Sequence, residues 1–159
     1  MSETTVKVFD IYIKAPAQAV WDAITAPEWT ARYGYKAASE YDLRPGGGFR
    51  ALANEQMRSF GMAEVIIDGE VTEVGAPHRL AQTYRFLFSE DTKAEGFSAM
   101  TWEVAPTSGG FTRLTLSHDV TGKPLMSGMI SSKFSDQGGG GWNWILSDLK
   151  SLLETGANL

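Results

Sequence analysis

The chain has 159 residues, of which 43% are hydrophobic and 21% charged, and its formal net charge is −5. This length and composition are typical of one globular domain, which we expect to span residues 1–159 and to bury one core. No lysine–arginine cluster offsets the negative charge, which argues against nucleic acid and anionic membranes as partners. The sequence has no cysteine, which excludes disulfides and thiolate chemistry.

The N-terminal residues and the hydropathy pattern bear on location. The first five residues lack the basic and then apolar pattern of a secretory signal. No apolar run approaches the roughly 20 residues that a membrane-spanning helix requires. We therefore expect a cytoplasmic protein.

The chain begins with a predicted strand over residues 6–14, because apolar and more polar residues alternate there. Two short helices are predicted next, over residues 17–25 and 27–33. Pro16 suits the first turn of the earlier helix, and Pro27 ends it.

Six further strands are predicted from residue 37 onwards, because alternating segments there are separated by turns rich in glycine or proline. They cover residues 37–43, 48–54, 62–74, 79–88, 98–104 and 111–120. Asp68 and Gly69 predict a bulge or bend within one of these strands, and residues 89–96 are interpreted as a charged loop. Consecutive strands joined by short turns predict an antiparallel meander with one face to be covered.

The strongest helical pattern lies at residues 142–155. Its apolar stripe consists of Trp142, Ile145, Leu146, Leu149, Leu152 and Leu153. Asp148 lies off this stripe, and Gly156 is a natural stop. Residues 123–135 are interpreted as a loop with a possible short helix. The stripe is long enough to cover the sheet, which predicts an α+β fold.

Seven short phrases occur in the order in which a known family has them. They are Ile13-Lys14-Ala15-Pro16 through Val20-Trp21, Arg44-Pro45-Gly46-Gly47, Gly69-Glu70-Val71-Thr72-Glu73-Val74, Pro77-His78-Arg79-Leu80, Met100-Thr101-Trp102-Glu103-Val104, Thr112-Arg113-Leu114-Thr115-Leu116-Ser117-His118 and Gly141-Trp142. Over nearly the whole chain they resemble the activator of heat-shock-protein-90 ATPase homologue-like family, of the superfamily that includes the START and birch-pollen-allergen domains. The resemblance implies a helix-grip fold, in which a curved antiparallel sheet of about seven strands wraps around the long C-terminal helix.

The resemblance also implies a gap between the sheet and the helix that can hold an apolar ligand. Eight large side chains are predicted at inward positions or at the rim of this gap: Trp29, Tyr41, Phe49, Tyr84, Met100, Trp102, His118 and Trp142. They could simply fill the core. Tyrosine and tryptophan nevertheless suit a ligand site, because each adds a hydrogen-bonding group to a large apolar surface. We predict a cavity that binds a small hydrophobic or aromatic molecule, with no cofactor, no metal and no defined catalysis.

Two alternatives stay open at this stage. The first is a cyclase- or hydrolase-like enzyme in which His118 acts as an acid or base together with Tyr41 or Tyr84. The second is a protein-interaction module, chaperone-linked or regulatory, or a homodimer, which predicts a large exposed apolar patch. The eukaryotic co-chaperone of the family has a second, N-terminal domain that contacts the chaperone. The residues before Val6 are too few to form it, so we do not expect chaperone activation.

Two glycine runs and a group of carboxylates are interpreted as follows. Residues 138–141 are all glycine and are interpreted as a flexible entrance to the last helix. With Met126, Met129 and Phe134 upstream, this segment could instead form a lid over the cavity mouth. The glycines at 46–48 lack the lysine of a phosphate-binding loop and are interpreted as a hairpin turn. The carboxylates between residues 64 and 73 are interpreted as a solvated sheet face.

Overall fold

The computed structural model describes residues 4–136 and 139–159. Its helices and strands, in chain order, are β1 (Val6–Ile13), α1 (Ala17–Thr25), α2 (Pro27–Thr30), β2 (Ala38–Tyr41), β3 (Gly48–Leu52), α3 (Glu55–Ser59), β4 (Val65–Gly75), β5 (Arg79–Phe86), α4 (Glu90–Glu95), β6 (Ser98–Pro106), β7 (Thr112–Asp119), α5 (Pro124–Ile130) and α6 (Gly141–Thr155). The predicted strands and the long C-terminal helix are all present, with boundaries displaced by a few residues.

The strands form one antiparallel sheet in the order β1-β7-β6-β5-β4-β3-β2. Strands β2 to β7 are a meander, because each pairs with the strand next to it along the chain. Strand β1 closes the sheet beside β7, so α1 and α2 carry the chain from one sheet edge to the other. The sheet curves around α6, which contacts β1, α1 and α5. The helix-grip prediction is confirmed.

The core lies on the inner face of the sheet. Along β6 and β7 buried residues alternate with more exposed ones, as the period of two predicts. Leu114 and Leu116 of β7 are fully buried, as is Leu149 of α6. Burying each such side chain stabilises the fold by roughly 1.5–3 kcal/mol. The predicted stripe of α6 therefore packs against the sheet, with Ile145 and Leu153 at its half-buried edges.

Two short helices lie where none was predicted. Residues 89–96, interpreted from sequence as a charged loop, contain α4. Its start is a capping box: the Thr92 amide donates to the Ser89 hydroxyl, and the Ser89 amide donates to the Thr92 hydroxyl. The other helix, α3, begins at Asn54, whose side-chain oxygen accepts a hydrogen bond from the Met57 amide. Both caps are readable in the sequence, but helices this short lack a periodic apolar stripe.

The predicted bulge in β4 lies elsewhere. The register between β4 and β5 shifts between Val71 and Glu73, not at Asp68–Gly69. Gly69 serves close packing instead, because a Cβ atom there would lie 2.0 Å from the Thr83 carbonyl oxygen of β5. A glycine within a strand can mark a bulge or a close backbone approach, and the structure shows the second.

Asp148 corrects the sequence-based description of α6. It was predicted to lie off the buried stripe, yet only 3% of its surface is exposed. Its carboxylate accepts hydrogen bonds from the amides of Gly34 and Leu159, both at 2.9 Å, and from the Asn158 side chain at 3.0 Å. These donors offset the cost of burying the charge. Asp148 thus joins α6 to the turn after α2 and to the C-terminal residues.

We expect Asp148→Ala to lower the free energy of unfolding by about 2–4 kcal/mol, because it leaves several buried donors without an acceptor. Urea denaturation followed by circular dichroism measures this change. Asp91→Ala in α4 is the matched control, since Asp91 is exposed, and should cost less than about 1 kcal/mol. Equal, small effects of the two substitutions would contradict the role of Asp148.

Candidate functional site: a cavity between the sheet and the C-terminal helix

A cavity of about 860 Å³ separates part of the sheet from α6. Strands β2 to β6 form its floor, and α5, α6 and the segment after α2 form its other walls. Most of the lining is aromatic or aliphatic, and includes Tyr41, Phe49, Ile66, Tyr84, Phe86, Met100, Trp102, Trp142 and Leu146. The volume lies within the range of about 300–1,000 Å³ that small-molecule sites usually have.

Six of the eight residues predicted for the site line this cavity: Tyr41, Phe49, Tyr84, Met100, Trp102 and Trp142. The other two, Trp29 and His118, lie outside its lining. Trp29 is half-buried on α2, where the Arg32 guanidinium lies 4.6 Å from the centre of its ring. Sequence periodicity places a residue on an inner face but does not distinguish a cavity wall from the packed layer behind it.

The aromatic rings form a connected wall. Tyr41 stacks on Phe49 with 4.7 Å between ring centroids, and Phe49 stacks on Tyr84 at 5.9 Å. Trp102 meets Trp142 edge to face at 5.5 Å. Such pairs stabilise each other by about 0.5–1.5 kcal/mol beyond the area they bury. The wall is therefore preformed, with its rings held by one another.

His118 lies behind this wall in a chain of hydrogen bonds. The Trp142 indole N–H donates to His118 Nδ1 at 3.1 Å. The Ser98 hydroxyl donates to the Tyr84 carbonyl at 2.8 Å, so the hydroxyl oxygen is free to accept from His118 Nε2, also at 2.8 Å. The proton positions follow from this network, which assigns His118 as the neutral tautomer with its proton on Nε2.

The surroundings of His118 keep it neutral. Burial lowers its pKa to about 4, and the nearby Asp119 carboxylate only partly opposes this. A proton on Nδ1 would also face the indole N–H of Trp142, donor against donor. Both ring nitrogens are occupied and neither lines the cavity, so this geometry does not bring His118 together with a tyrosine hydroxyl as an acid/base pair.

The tyrosines at the cavity offer neutral hydroxyls. Tyr41 donates to the side-chain oxygen of the buried Gln82 at 2.8 Å. Within the described chain, the Tyr84 hydroxyl has no hydrogen-bond partner. Burial raises the pKa of both tyrosines well above the ordinary value, so both stay protonated. The Tyr84 hydroxyl can thus hydrogen-bond a ligand but cannot act as a base near neutral pH.

The mouth of the cavity is rimmed by partly or largely exposed residues that were not predicted to belong to the site. They are Tyr35, Lys36, Met57, Met62, Phe88 and Leu125. Met57 and Leu125 lie on short helices, and Tyr35 and Lys36 lie on a connecting segment, where no periodic pattern could identify them. Met62 and Phe88 lie at the ends of segments that were predicted as strands.

The segment predicted to form a lid contains a helix that borders the cavity. Residues 123–135 contain α5, and Met129 of this helix lines the mouth. Met126 is buried away from the cavity lining, and Phe134 is exposed and stacks on Trp144 at 5.4 Å. Gly138, the first of the four predicted glycines, lies outside the described residues. Helix α5 therefore borders the opening, and movement of a lid stays a prediction.

Comparison with known proteins agrees with this architecture. The sequence model of the family described as activator of Hsp90 ATPase homolog 1-like protein matches residues 14–154. The chain belongs to this family. Comparison with curated proteins found no match.

Solved structures of other proteins share this architecture. An HSP90 activator from Plasmodium falciparum is 22% identical, with a TM-score of 0.55 over 72% of this chain and 71% of that one. CalU16 from Micromonospora echinospora is 19% identical, with a TM-score of 0.64 over 95% and 83%. A protein from Nitrosomonas europaea is 23% identical, with a TM-score of 0.65 over 93% of each chain. At these identities the similarity shows the fold alone.

The charged groups of this member of the Hsp90-activator-like family lie mostly away from the cavity. Asp68 pairs with Arg85 at 2.7 Å, and Glu73 pairs with Arg79 at 3.0 Å, on the partly exposed outer face of the sheet. Within residues 4–136 and 139–159, no three His, Asp or Glu side chains are grouped so as to hold a metal ion. In the same residues, no helix is both long and apolar enough to cross a membrane.

The buried His118 predicts a pH dependence of stability. Its pKa is lower in the folded state, about 4, than the ordinary value near 6.5 in the unfolded chain. Its contribution is therefore fully present above about pH 6.5 and is lost as the pH falls towards 4, by up to roughly 3 kcal/mol. Urea denaturation at several pH values should show this loss in the wild type and in His78→Gln, and a shallower loss in His118→Asn.

An NMR titration of the His118 imidazole separates this effect from carboxylate protonation. The His78→Gln variant leaves one histidine signal, which should titrate near pH 4. A midpoint near 6.5 would show that the ring is hydrated and that the hydrogen-bond chain is not formed.

Proposed function

We propose that this protein binds a small hydrophobic or aromatic molecule in the cavity between the sheet and α6, without chemically changing it. The observation that carries the proposal is the apolar cavity of about 860 Å³ within an otherwise packed core.

A cavity of this size is not explained as a packing defect. Cavities made by truncating core side chains destabilise a protein by about 24 cal/mol per Å³. On that scale an empty space of about 860 Å³ would cost more than the total stability of a typical domain, about 5–15 kcal/mol. The space must therefore hold solvent or a ligand. An apolar ligand would release water from the aromatic wall, which is favourable.

The fold supports the same proposal. The family lies within a superfamily in which the gap between sheet and helix accommodates apolar ligands, and this chain keeps that gap open. The lining also supports binding over catalysis, because its tyrosines stay neutral and His118 is occupied on both nitrogens. Orientation of a ligand would come from single hydrogen bonds, such as one to the Tyr84 hydroxyl.

The test uses N-phenyl-1-naphthylamine, an uncharged apolar probe that becomes fluorescent in apolar surroundings. We expect saturable binding in the wild type, with quenching of tryptophan emission, because Trp102 and Trp142 line the cavity.

Ala51 lies in the cavity wall, so Ala51→Phe should fill part of the space and weaken binding at least tenfold. Ala99→Phe is the matched control, since Ala99 is exposed on β6, and should bind as the wild type does. Circular dichroism checks that both variants fold. Absence of saturable binding in the wild type, or equal binding by the two variants, would refute the proposal.

A further inference from the structure

Lys36 distinguishes the mouth of the cavity from its interior. Among the described residues that line the cavity, it is the one with a charged side chain. It is exposed and has Tyr35, itself half-exposed, as its neighbour at the rim. The interior wall contains hydroxyls, such as that of Tyr84, but no ionised group. The cavity is therefore polarised, with an apolar interior and a positive charge at its opening.

The backbone of Lys36 is held in an unusual conformation. Its φ is 58°, and in the described part of the chain it is the one non-glycine residue with a positive φ. Lysine has no intrinsic preference for this left-handed region, which disfavours any residue with a Cβ atom. The surrounding structure therefore fixes it, as is common at binding sites.

Asn54 provides part of this restraint. Its side-chain nitrogen donates to the carbonyl of Tyr35 at 3.2 Å and, more weakly, to that of Lys36 at 3.4 Å. Its side-chain oxygen caps α3 by accepting from the Met57 amide at 2.9 Å. The Lys36 amide also donates to the Tyr33 carbonyl at 3.0 Å. One amide side chain thus ties the Lys36 backbone to the α3 side of the mouth.

The charge of Lys36 is available to a ligand. Across residues 4–136 and 139–159, the ion pairs use the arginines at 44, 50, 79, 85 and 113 and Lys150. Lys36 takes part in none of them, and no hydrogen bond from its ammonium group is formed in this part of the chain. Its aliphatic stem can lie along the apolar rim while the ammonium group stays hydrated.

We propose that the ligand is an amphipathic acid, with its apolar body in the cavity and a carboxylate at the mouth, paired with Lys36. This inference depends on the proposed function, because it specifies the ligand of the same cavity. The opposite orientation is disfavoured, since it would bury an ionised group among aromatic rings without a counter-charge. At the rim, both the carboxylate and the ammonium group keep part of their hydration.

The test compares dodecanoate with 1-dodecanol as competitors of N-phenyl-1-naphthylamine. The two differ in the charge of the head group. We expect Lys36→Met, which keeps an apolar stem, to weaken dodecanoate about fivefold and to change dodecanol less than twofold. Raising the salt concentration should reduce the effect of the substitution, because the pair is exposed to solvent. Lys93→Met in α4 is the matched control and should leave both affinities unchanged.

Lys36→Gly separates the charge from the backbone conformation. Glycine adopts the left-handed region freely, so this variant should be at least as stable as the wild type and yet show the same fivefold loss for dodecanoate. Retention of the wild-type affinity for dodecanoate in Lys36→Met or Lys36→Gly overturns the assignment of Lys36 while the cavity remains a binding site. Failure of the wild type to bind the uncharged probe overturns both proposals.

Discussion

The hydrogen bond from the Trp142 indole to His118 joins α6 to the inner face of the sheet. Trp142 opens the apolar stripe of α6, and its ring also forms part of the cavity wall. Its N–H would be costly to bury without an acceptor. His118 supplies that acceptor only in its neutral form, and the Ser98 hydroxyl that accepts from its other nitrogen selects the tautomer. One polar chain thus connects α6, β7, β6 and β5 directly behind the cavity.

One half of the inner face of the sheet is packed against the core, and the other half faces the cavity. On β7, the inward residues Leu114 and Leu116 are fully buried and lie outside the cavity lining, so this half is packed core. On β3 and β5, the inward residues Phe49 and Tyr84 face the cavity. The helix packs closely at one end of the curved sheet and leaves a gap at the other. This asymmetry lets one small domain have both a stable core and an internal space.

The rim of the cavity consists of short helices and a connecting segment, which polar contacts hold in place. Asn54 caps α3 and holds the carbonyls before and at Lys36, and Glu95 of α4 accepts hydrogen bonds from the amides of Leu125 and Met126 at the start of α5. Asp148 accepts a hydrogen bond from the amide of Gly34, two residues before Lys36 in the same segment. Tyr35, Phe88 and Leu125 at the rim are 42–43% exposed, so the rim is expected to open more readily than the buried sheet behind it.

The sequence by itself determined the strands, the long helix and most of the aromatic wall. Successive side chains of a strand point to opposite faces of the sheet. Alternation along β6 is strict, so Met100 and Trp102 could be placed on the inner face. The helical stripe from Trp142 to Leu153 was equally clear. The seven short sequence segments shared with a known family indicated the fold. The strands and the helix depend on local periodicity, which a sequence displays directly, whereas the helix-grip fold was implied by the family resemblance.

Only the tertiary structure decided the rest. It placed His118 behind the cavity wall instead of in it, buried Asp148 against the backbone of a distant turn, and brought Lys36 to the mouth. Each outcome depends on contacts between segments far apart in the chain, which leave no periodic trace. Periodicity shows which way a side chain points, whereas the residues it meets, and hence its ionisation and its access to a ligand, depend on how the elements pack.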